Sequence, residues 1–430
     1  MRILVTGACG FIGGHITSAL IAAGHRVVCC VRDPARARRM FPGQVALACD
    51  FNRDTEAACW RPRLEDVDAV INCAGILQSR PGQSIAAIHG KAPKALFDAC
   101  LAAGVRRVIQ ISALGAEPQA GTAYALSKHE ADLHLLSLPL DGTVVQPSLA
   151  YTPAGSYGGT SLFRALAALP WLVPVVGRGD QSFQPIHMAD LAEGVHRLVE
   201  RPGRSGEVIA AVGPRAVTFT DLLLALRRWL GLPPARVFHV PQFLAGLAAR
   251  LGDLFGGGPL TTTSLRMLNY GNTADPAPFI AATGVNPRTF EGALETDPAQ
   301  VQDLWHARLY FLRPLLRTVL AVFWIATGMI AVLASSGQSE AFLSRAGVAP
   351  SLVPFALWGG ALTDMALGAL LLIRWRVRLI GGLQLLVTAV YLGALTVAWP
   401  ALWADPLGPL LKTLPLVVAT LVMIAIEEER

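Results

Sequence analysis

RILVTGACGFIGG, residues 2–14, decides how the first half of this chain is read. An apolar run, Ile3 to Thr6, leads straight into glycines at 7, 10 and 13, and a helical pattern follows. Strand, glycine turn and helix start in that order bring backbone N–H groups close to a pyrophosphate, with the helix N-terminus facing the same anion. Arg2 before an apolar run also has the look of a secretory signal. Gly7, Gly10, Gly13 and Gly14 argue against that reading, so the N-terminal half is expected in the cytoplasm.

Outward from this turn, short runs rich in Val and Ile recur at Arg26–Val31, Ala69–Cys73, Val108–Ser112 and Gly142–Gln146. Uninterrupted apolar strands alternating with helices imply a parallel sheet covered on both faces. Residues 1–150 therefore read as an α/β Rossmann domain with a doubly wound parallel sheet. Across 151–300 glycine and proline are frequent, and helices expected at Asp221–Leu230 and Phe243–Phe255 alternate with short strands. This reads as a smaller substrate-side α/β region.

The 430 residues are 53% hydrophobic and 15% charged, with a mean hydropathy of +0.46. Soluble chains are nearer 25% charged. The apolar excess lies after residue 312, in Leu315–Ala334, Pro354–Ile373, Leu379–Trp399 and Leu407–Ile426. Tracts of about 20 apolar residues are long enough to span a bilayer, so 312–428 is expected to be an all-α four-helix transmembrane bundle. Arg374, Arg376 and Arg378 fall between the second and third tracts, and Arg308, Arg313 and Arg317 lie before or at the start of the first. The positive-inside bias puts both groups, and both termini, on the cytoplasmic side of an inner membrane. Trp399 and Trp403 suit an interfacial belt, and Lys412 would have to snorkel out of the fourth tract. The net charge of +6 is spread along the chain with no lysine-rich tract, which argues against a nucleic-acid partner.

All seven cysteines lie between Cys9 and Cys100 and form no CxxC, the usage of a reducing compartment. Neither they nor the histidines show metal-ligand spacing, so no metal is expected. Arg32, at the tip of the second strand, can pair with a 2′-phosphate, which favours NADP over NAD. Tyr124 and Lys128 share one helix face; an ammonium beside a phenol is expected to lower its pKa toward acid–base use. Ser112 ends the preceding strand, within reach of a substrate oxygen. Asp364 lies in the second tract, where a charge is costly and marks a candidate functional site. Gly359 and Gly360 nearby would allow close helix packing.

These features resemble the extended or atypical branch of the short-chain dehydrogenase/reductase superfamily. The resemblance rests on TGACGFIG (6–13), VRDP (31–34), Asp50, NCAG (72–75), Ser112, YALSK (124–128), QPSLAY (146–151) and FQPIHMADLA (183–192). It is nearest to the branch that includes the nucleotide-binding accessory subunit of respiratory complex I. Residues beyond 312 resemble the DoxX-like four-helix membrane family. The resemblance implies that Gly7, Gly10 and Gly13, with Phe11 and Ile12, hold the pyrophosphate, and Arg32 the 2′-phosphate. It places Asp50 at the adenine, Cys73, Ala74 and Gly75 along the cofactor, and Pro147 and Ser148 near the nicotinamide. It makes Ser112, Tyr124 and Lys128 catalytic, with Tyr124 moving the proton and Lys128 holding the ribose. It puts His187 and Asp190 on the substrate side, with His89 a further substrate-side candidate. Relatives often carry asparagine where His89 stands, which leaves the proton relay open.

The function expected is hydride transfer to or from an apolar carbonyl or alcohol by a membrane-anchored NAD(P)-dependent oxidoreductase. Three alternatives stand beside it: an epimerase or dehydratase, a non-catalytic nucleotide-binding platform at a membrane complex, and a transporter regulated by nucleotide. A homo-oligomer is a further possible assembly.

Overall fold

The computed structural model describes residues 1–79, 82–201, 203, 206–255, 258–334, 336–345, 347–406 and 408–427. The chain divides into two compact units, Met1–Ala307 and Arg308–Arg430.

The first unit is built on a seven-stranded, all-parallel sheet. Its strands are β1 (Arg2–Thr6), β2 (Arg26–Val31), β3 (Val45–Ala48), β4 (Ala69–Asn72), β5 (Arg107–Ile111), β6 (Asp141–Pro147) and an edge strand, Glu207–Ala211. The order is edge strand, β6, β5, β4, β1, β2, β3. The chain reverses direction of travel between β1 and β4, and such switch points open a ligand crevice at the strands' carboxyl ends.

Side chains alternate across the sheet, so each face carries its own core. Ile3, Val5, Val27, Cys29, Ile71 and Ile109 face α1 (Phe11–Ala22) and α7 (Met188–Glu200). Leu4, Val28, Cys30, Val70 and Val108 pack with α3 (Ala57–Trp60) and α4 (Ala92–Ala103) on the other. The adjacent Cys29 and Cys30 thus enter opposite cores, and all seven cysteines are free thiols. The other helices around the sheet are α2 (Pro34–Met40) and α5 (Ala123–Ser137).

Past residue 150, α6 (Gly159–Ala167) and α8 (Phe219–Trp229) join two-stranded pairs, Leu172–Val176 with Arg236–Val240 among them. Tyr151, Val173, Val175, Phe219 and Leu223 make a separate core there. The edge strand and α7 also lie beyond 150, yet they complete the first sheet and its core.

The second unit is helical. Three helices, Val301–Leu333, Val353–Leu372 and Val377–Ala398, have the length and composition to cross a membrane. The fourth expected tract does not reach that length. Its expected first residue, Leu407, and the expected domain end, Glu428, lie outside the described residues. The helix observed there is Thr413–Ile426, 14 residues. Pro406, left-handed Gly408 (φ +57°) and Pro409 keep the chain out of helix before Thr413. Lys412 is consequently the helix's N-cap residue and not an interior one. Close packing falls partly where expected. A Cβ on Gly360 would stand 3.2 Å from the Tyr391 hydroxyl and one on Gly359 would meet nothing, whereas one on Gly328 or Gly368 would stand 2.6 Å from the carbonyl of Ala361 or Ala321. Small residues let backbones of neighbouring helices approach, and Gly328 and Gly368 do so most closely of these.

Candidate active site

The loop after β1 shows why three glycines are spaced as they are. Gly7 takes φ +63°, and a Cβ on it would lie 3.1 Å from the Cys73 carbonyl. A Cβ on Gly13 would lie 2.2 Å from the Gly7 carbonyl, so α1 can start against the turn only without a side chain there. Gly10 is the N-cap of α1 and offers no side-chain acceptor. The first N–H groups of the helix, those of Phe11 and Ile12 among them, thus receive no side-chain cap. Below the loop, the Thr6 hydroxyl donates to Asn72 Oδ1 (2.5 Å) and Asn72 Nδ2 to Gln110 Oε1 (2.6 Å), all three residues buried. This network ties the ends of β1, β4 and β5 together, and Cys73 and Ala74 donate their N–H groups to Thr6 and Asn72.

Arg32 is exposed at the end of β2, where Asp33 caps α2. It borders an open cleft of about 300 Å³ with Asp50, Arg53 and Arg63. Arg63 is paired with Asp54 (2.9 Å), and Asp50 binds the Asn52 N–H (3.0 Å). Arg32 makes no hydrogen bond or ion pair among the described residues.

Tyr124 lies in the first turn of α5, after the Thr122 N-cap. Lys128 is buried one turn on, its Nζ donating to the Ile111 carbonyl (3.1 Å) and 5.9 Å from the Tyr124 ring centre. Gly75 adjoins both Lys128 and His89. The structure therefore brings Gly75, His89, Tyr124 and Lys128 together beside the β4 and β5 ends. The phenol's acidity runs opposite to expectation. Burial raises the Tyr124 pKa well above 10, and the charge of Asp132 adds to the rise. Lys128 spends a proton on a backbone carbonyl, and burial lowers its own pKa.

His89 sits in a π-helical turn, Ala86–Lys91, leading into α4. Its Nε2 accepts from the Ile76 N–H (2.9 Å), so Nδ1 carries the proton and faces Ser127 Oγ (3.3 Å). Burial, with Lys128 nearby, lowers its pKa to about 2, and the ring is neutral. Both nitrogens are thereby engaged in holding the Gly75–Ile76 loop to α5.

Ser112 is buried, and its hydroxyl donates to Asp132 Oδ2 (2.5 Å). Asp132 was not singled out from sequence. It stands four residues after Lys128 on the same helix, and that spacing was the available signal. Burial raises its pKa to about 6, against the pull of Ser112 and Lys128. Pro147 accepts from Leu114 N–H (3.0 Å), and Ser148 donates to the Gln184 carbonyl (2.5 Å). His187 and Asp190 form a different group. His187 caps α7 and packs edge-on to Tyr151, while Asp190 grips Arg288 (2.7 Å) and its backbone N–H (2.9 Å). Asp364, in the second unit, accepts from the Tyr391 hydroxyl (3.3 Å).

A parallel sheet with this glycine turn, crevice and Tyr/Lys helix is a dinucleotide-binding Rossmann domain. Residues 3–211 match the NAD dependent epimerase/dehydratase family, and residues 321–421 match the DoxX-like family. The chain thus carries an epimerase/dehydratase-family domain followed by a DoxX-like membrane domain. It is similar to the NADH dehydrogenase [ubiquinone] 1 alpha subcomplex subunit 9 of Rattus norvegicus, 25% identical over 67% of this chain and 77% of that one. It is also similar to a 3-diazoavenalumate denitrifying reductase of a Streptomyces species, 29% identical over 61% and 90%. Sterol demethylase protein B of Methylococcus capsulatus is 27% identical over 68% and 96%. Among solved structures, MoeE5 in complex with UDP-glucose and NAD covers 72% of this chain and all of its own (21% identity, TM-score 0.52). The NADPH-dependent quinone oxidoreductase QOR2 of Escherichia coli covers 68% and 99% (22% identity, TM-score 0.54). These matches support an NAD(P)-dependent, oxidoreductase-like domain joined to a membrane-type domain.

Proposed function

We propose that the protein is a membrane-anchored oxidoreductase that reduces a carbonyl of an apolar, lipid- or quinone-like molecule, with NADP(H) preferred. The observation that carries this reading is the placement of Tyr124 and Lys128 beside Gly75 at the carboxyl ends of β4 and β5. The glycine turn fits a pyrophosphate, and Arg32 at an open cleft fits a 2′-phosphate. Bound nicotinamide supplies the hydride. Tyr124 keeps its proton at neutral pH in the free protein, which suits it to donate to a developing alkoxide. The Lys128 amine lies next to it, and Asp132 with Ser112 fixes the floor behind. The helix Gln242–Phe255 supports an apolar ligand. It turns Phe243, Leu247, Leu251 and Leu254 to the outside, 48–77% exposed, while Ala245 and Ala249 face inward.

The arginines between the second and third membrane helices, Arg374, Arg376 and Arg378, favour a cytoplasmic turn in an inner membrane. Ser112, His187 and Asp190 make their contacts within the protein, and a direct substrate role for them needs those contacts to open.

The test is NADPH oxidation by the full chain in detergent against quinones and isoprenoid aldehydes. Tyr124→Phe should cut turnover by about 10²–10⁴-fold and leave NADPH affinity unchanged. Undiminished turnover in that variant removes Tyr124 from the chemistry. The second reading, a nucleotide-stabilised platform at a membrane complex, draws on the similarity to the complex I subunit. It prevails if the purified chain carries stoichiometric nucleotide, no substrate is turned over and Tyr124→Phe cells are normal.

A further inference from the structure

At the sheet edge opposite the nucleotide loops, His25 leads into β2 and α7 ends at Glu200. His25 Nε2 lies 3.3 Å from Glu200 Oε1, and His196 Nε2 lies 3.4 Å from Glu200 Oε2. One donor atom from each of the three residues falls within 4.8 Å of the others. The two Nε2 atoms are buried, and neither achieves a hydrogen bond despite these distances. The His25 side chain is 8% exposed, so its bare nitrogen has no recourse to solvent. A buried imidazole nitrogen without a hydrogen bond is costly, and here two of them converge on one carboxylate.

Imidazole nitrogens with free lone pairs are what a metal takes, and both Nε2 atoms stand close to Glu200 without making a hydrogen bond to it. Two imidazoles and a carboxylate are a zinc donor set. Ligands about 2.0–2.1 Å from a tetrahedral ion stand about 3.3–3.4 Å from one another; here each Nε2 lies at that spacing from one of the two Glu200 oxygens, and the three donor atoms lie within 4.8 Å of one another.

The tautomer of His196 is set from behind. Its Nδ1 is 3.4 Å from Glu193 Oε2, and Glu193 is itself held by Arg197 Nε at 2.6 Å. With the proton on Nδ1, the Nε2 lone pair is left free, 3.4 Å from Glu200 Oε2. A carboxylate behind the ligating histidine is the usual support of such sites. Glu193, His196 and Glu200 follow one another at helical spacing on α7, so one face of one helix supplies support and ligands. Glu200 is 48% exposed, which leaves an entry path and room for water as a fourth ligand.

We propose that His25, His196 and Glu200 bind a divalent transition-metal ion of the zinc class, with Glu193 as a positioning residue behind His196. The ion would clamp the end of α7 to the turn between α1 and β2, remote from the nucleotide loops. The inference does not depend on the reaction proposed above.

The full chain, purified in detergent without a histidine tag and stripped with a chelator, is titrated with Zn²⁺ against a fluorescent chelator. A parallel titration with Co²⁺ is followed by visible absorption. One equivalent per chain is expected, with visible cobalt bands of a four-coordinate site and no thiolate charge-transfer band. Glu200→Gln and His196→Ala should each weaken binding by roughly 100-fold or more, and Glu193→Gln by roughly 10-fold. NADPH affinity, read on the same samples, should not change; if His196→Ala loses it through misfolding, the isosteric Glu200→Gln is the deciding variant. The proposal is overturned if the wild-type chain takes up no zinc at about 10 µM. It is equally overturned if the variants bind as tightly as wild type, or if a thiolate band shows that the cysteines hold the ion.

Discussion

Asp132 shows how a single side chain sets the site's dependence on pH. Its carboxyl is buried among Ser112 and Lys128, and its pKa is raised from 3.8 to about 6. A raised carboxylate favours the folded state when protonated. That contribution is full below about pH 4 and is lost as pH rises through 6. Two units correspond to about 3 kcal/mol. Asn can still accept from the Ser112 hydroxyl but cannot titrate. On lowering the pH from 7 to 5, wild type should therefore gain melting temperature relative to Asp132→Asn; a difference that stays flat with pH would refute the assignment. Arg32 gives a second prediction. Replacing it with Ala should weaken NADPH binding by about 10–100-fold, the worth of a charge-assisted hydrogen bond to phosphate, and leave NADH binding unaltered. Equal loss for both nucleotides, measured by calorimetry, rules out a 2′-phosphate contact. Tyr124 and Lys128 were legible because helical spacing alone places them on one face. The phenol's raised pKa was not, because it comes from burial and from Asp132, and sequence shows neither. The same holds for His89, whose two nitrogens are occupied by Ile76 and Ser127.

Elements differ in how plainly their residues announce them. β1, β2, β4, β5 and β6 are apolar runs bounded by turn residues, and they were read to within about a residue. β3 is only four residues long and half-exposed, and Glu207–Ala211 is an edge strand with Val208 facing out. Neither offers the continuous apolar run that marks a strand buried on both faces. The fourth apolar tract forms a shorter helix than its composition suggests for the converse reason: hydropathy counts composition, while Pro406, Gly408 and Pro409 decide where helix can begin. The glycine turn is the element whose reading rests on backbone geometry. Gly13→Ala would thrust a methyl group to 2.2 Å from the Gly7 carbonyl, where no flexible side chain can yield. α1 must then shift, at a cost of about 1–3 kcal/mol for overpacking. The expected result is a melting temperature lowered by several degrees together with loss of NADPH binding. Unchanged affinity would mean that the helix start does not hold the pyrophosphate.

At the scale of the whole chain, the helix Val301–Met329 begins in the nucleotide-binding unit and continues into the membrane unit. Composition alone puts the boundary near 312, where the apolar tracts start. The contacts place the end of the first unit's own core at Ala307, which packs with Ala168 and Leu230. Four residues earlier, Asp303 pairs with the buried guanidinium of Arg164 (3.1 Å), whose other nitrogen donates to the carbonyls of Thr152, Pro153 and Gly155. Arg164 is 4% exposed, so loss of Asp303 strands a charge, a change that costs about 3–5 kcal/mol when a buried pair is broken. Where the chain is cut should therefore matter more than how much of it is removed. A fragment ending after Ala307 retains every core of the first unit, the buried pair and the glycine turn, and should be soluble without detergent and bind NADPH as the full chain does. A fragment ending at Ala299 lacks only eight further residues by that numbering, yet it should express mostly as aggregate or melt well below the longer one. Equal stability of the two fragments in thermal melts would show that the first turns of the long helix belong to the membrane unit alone.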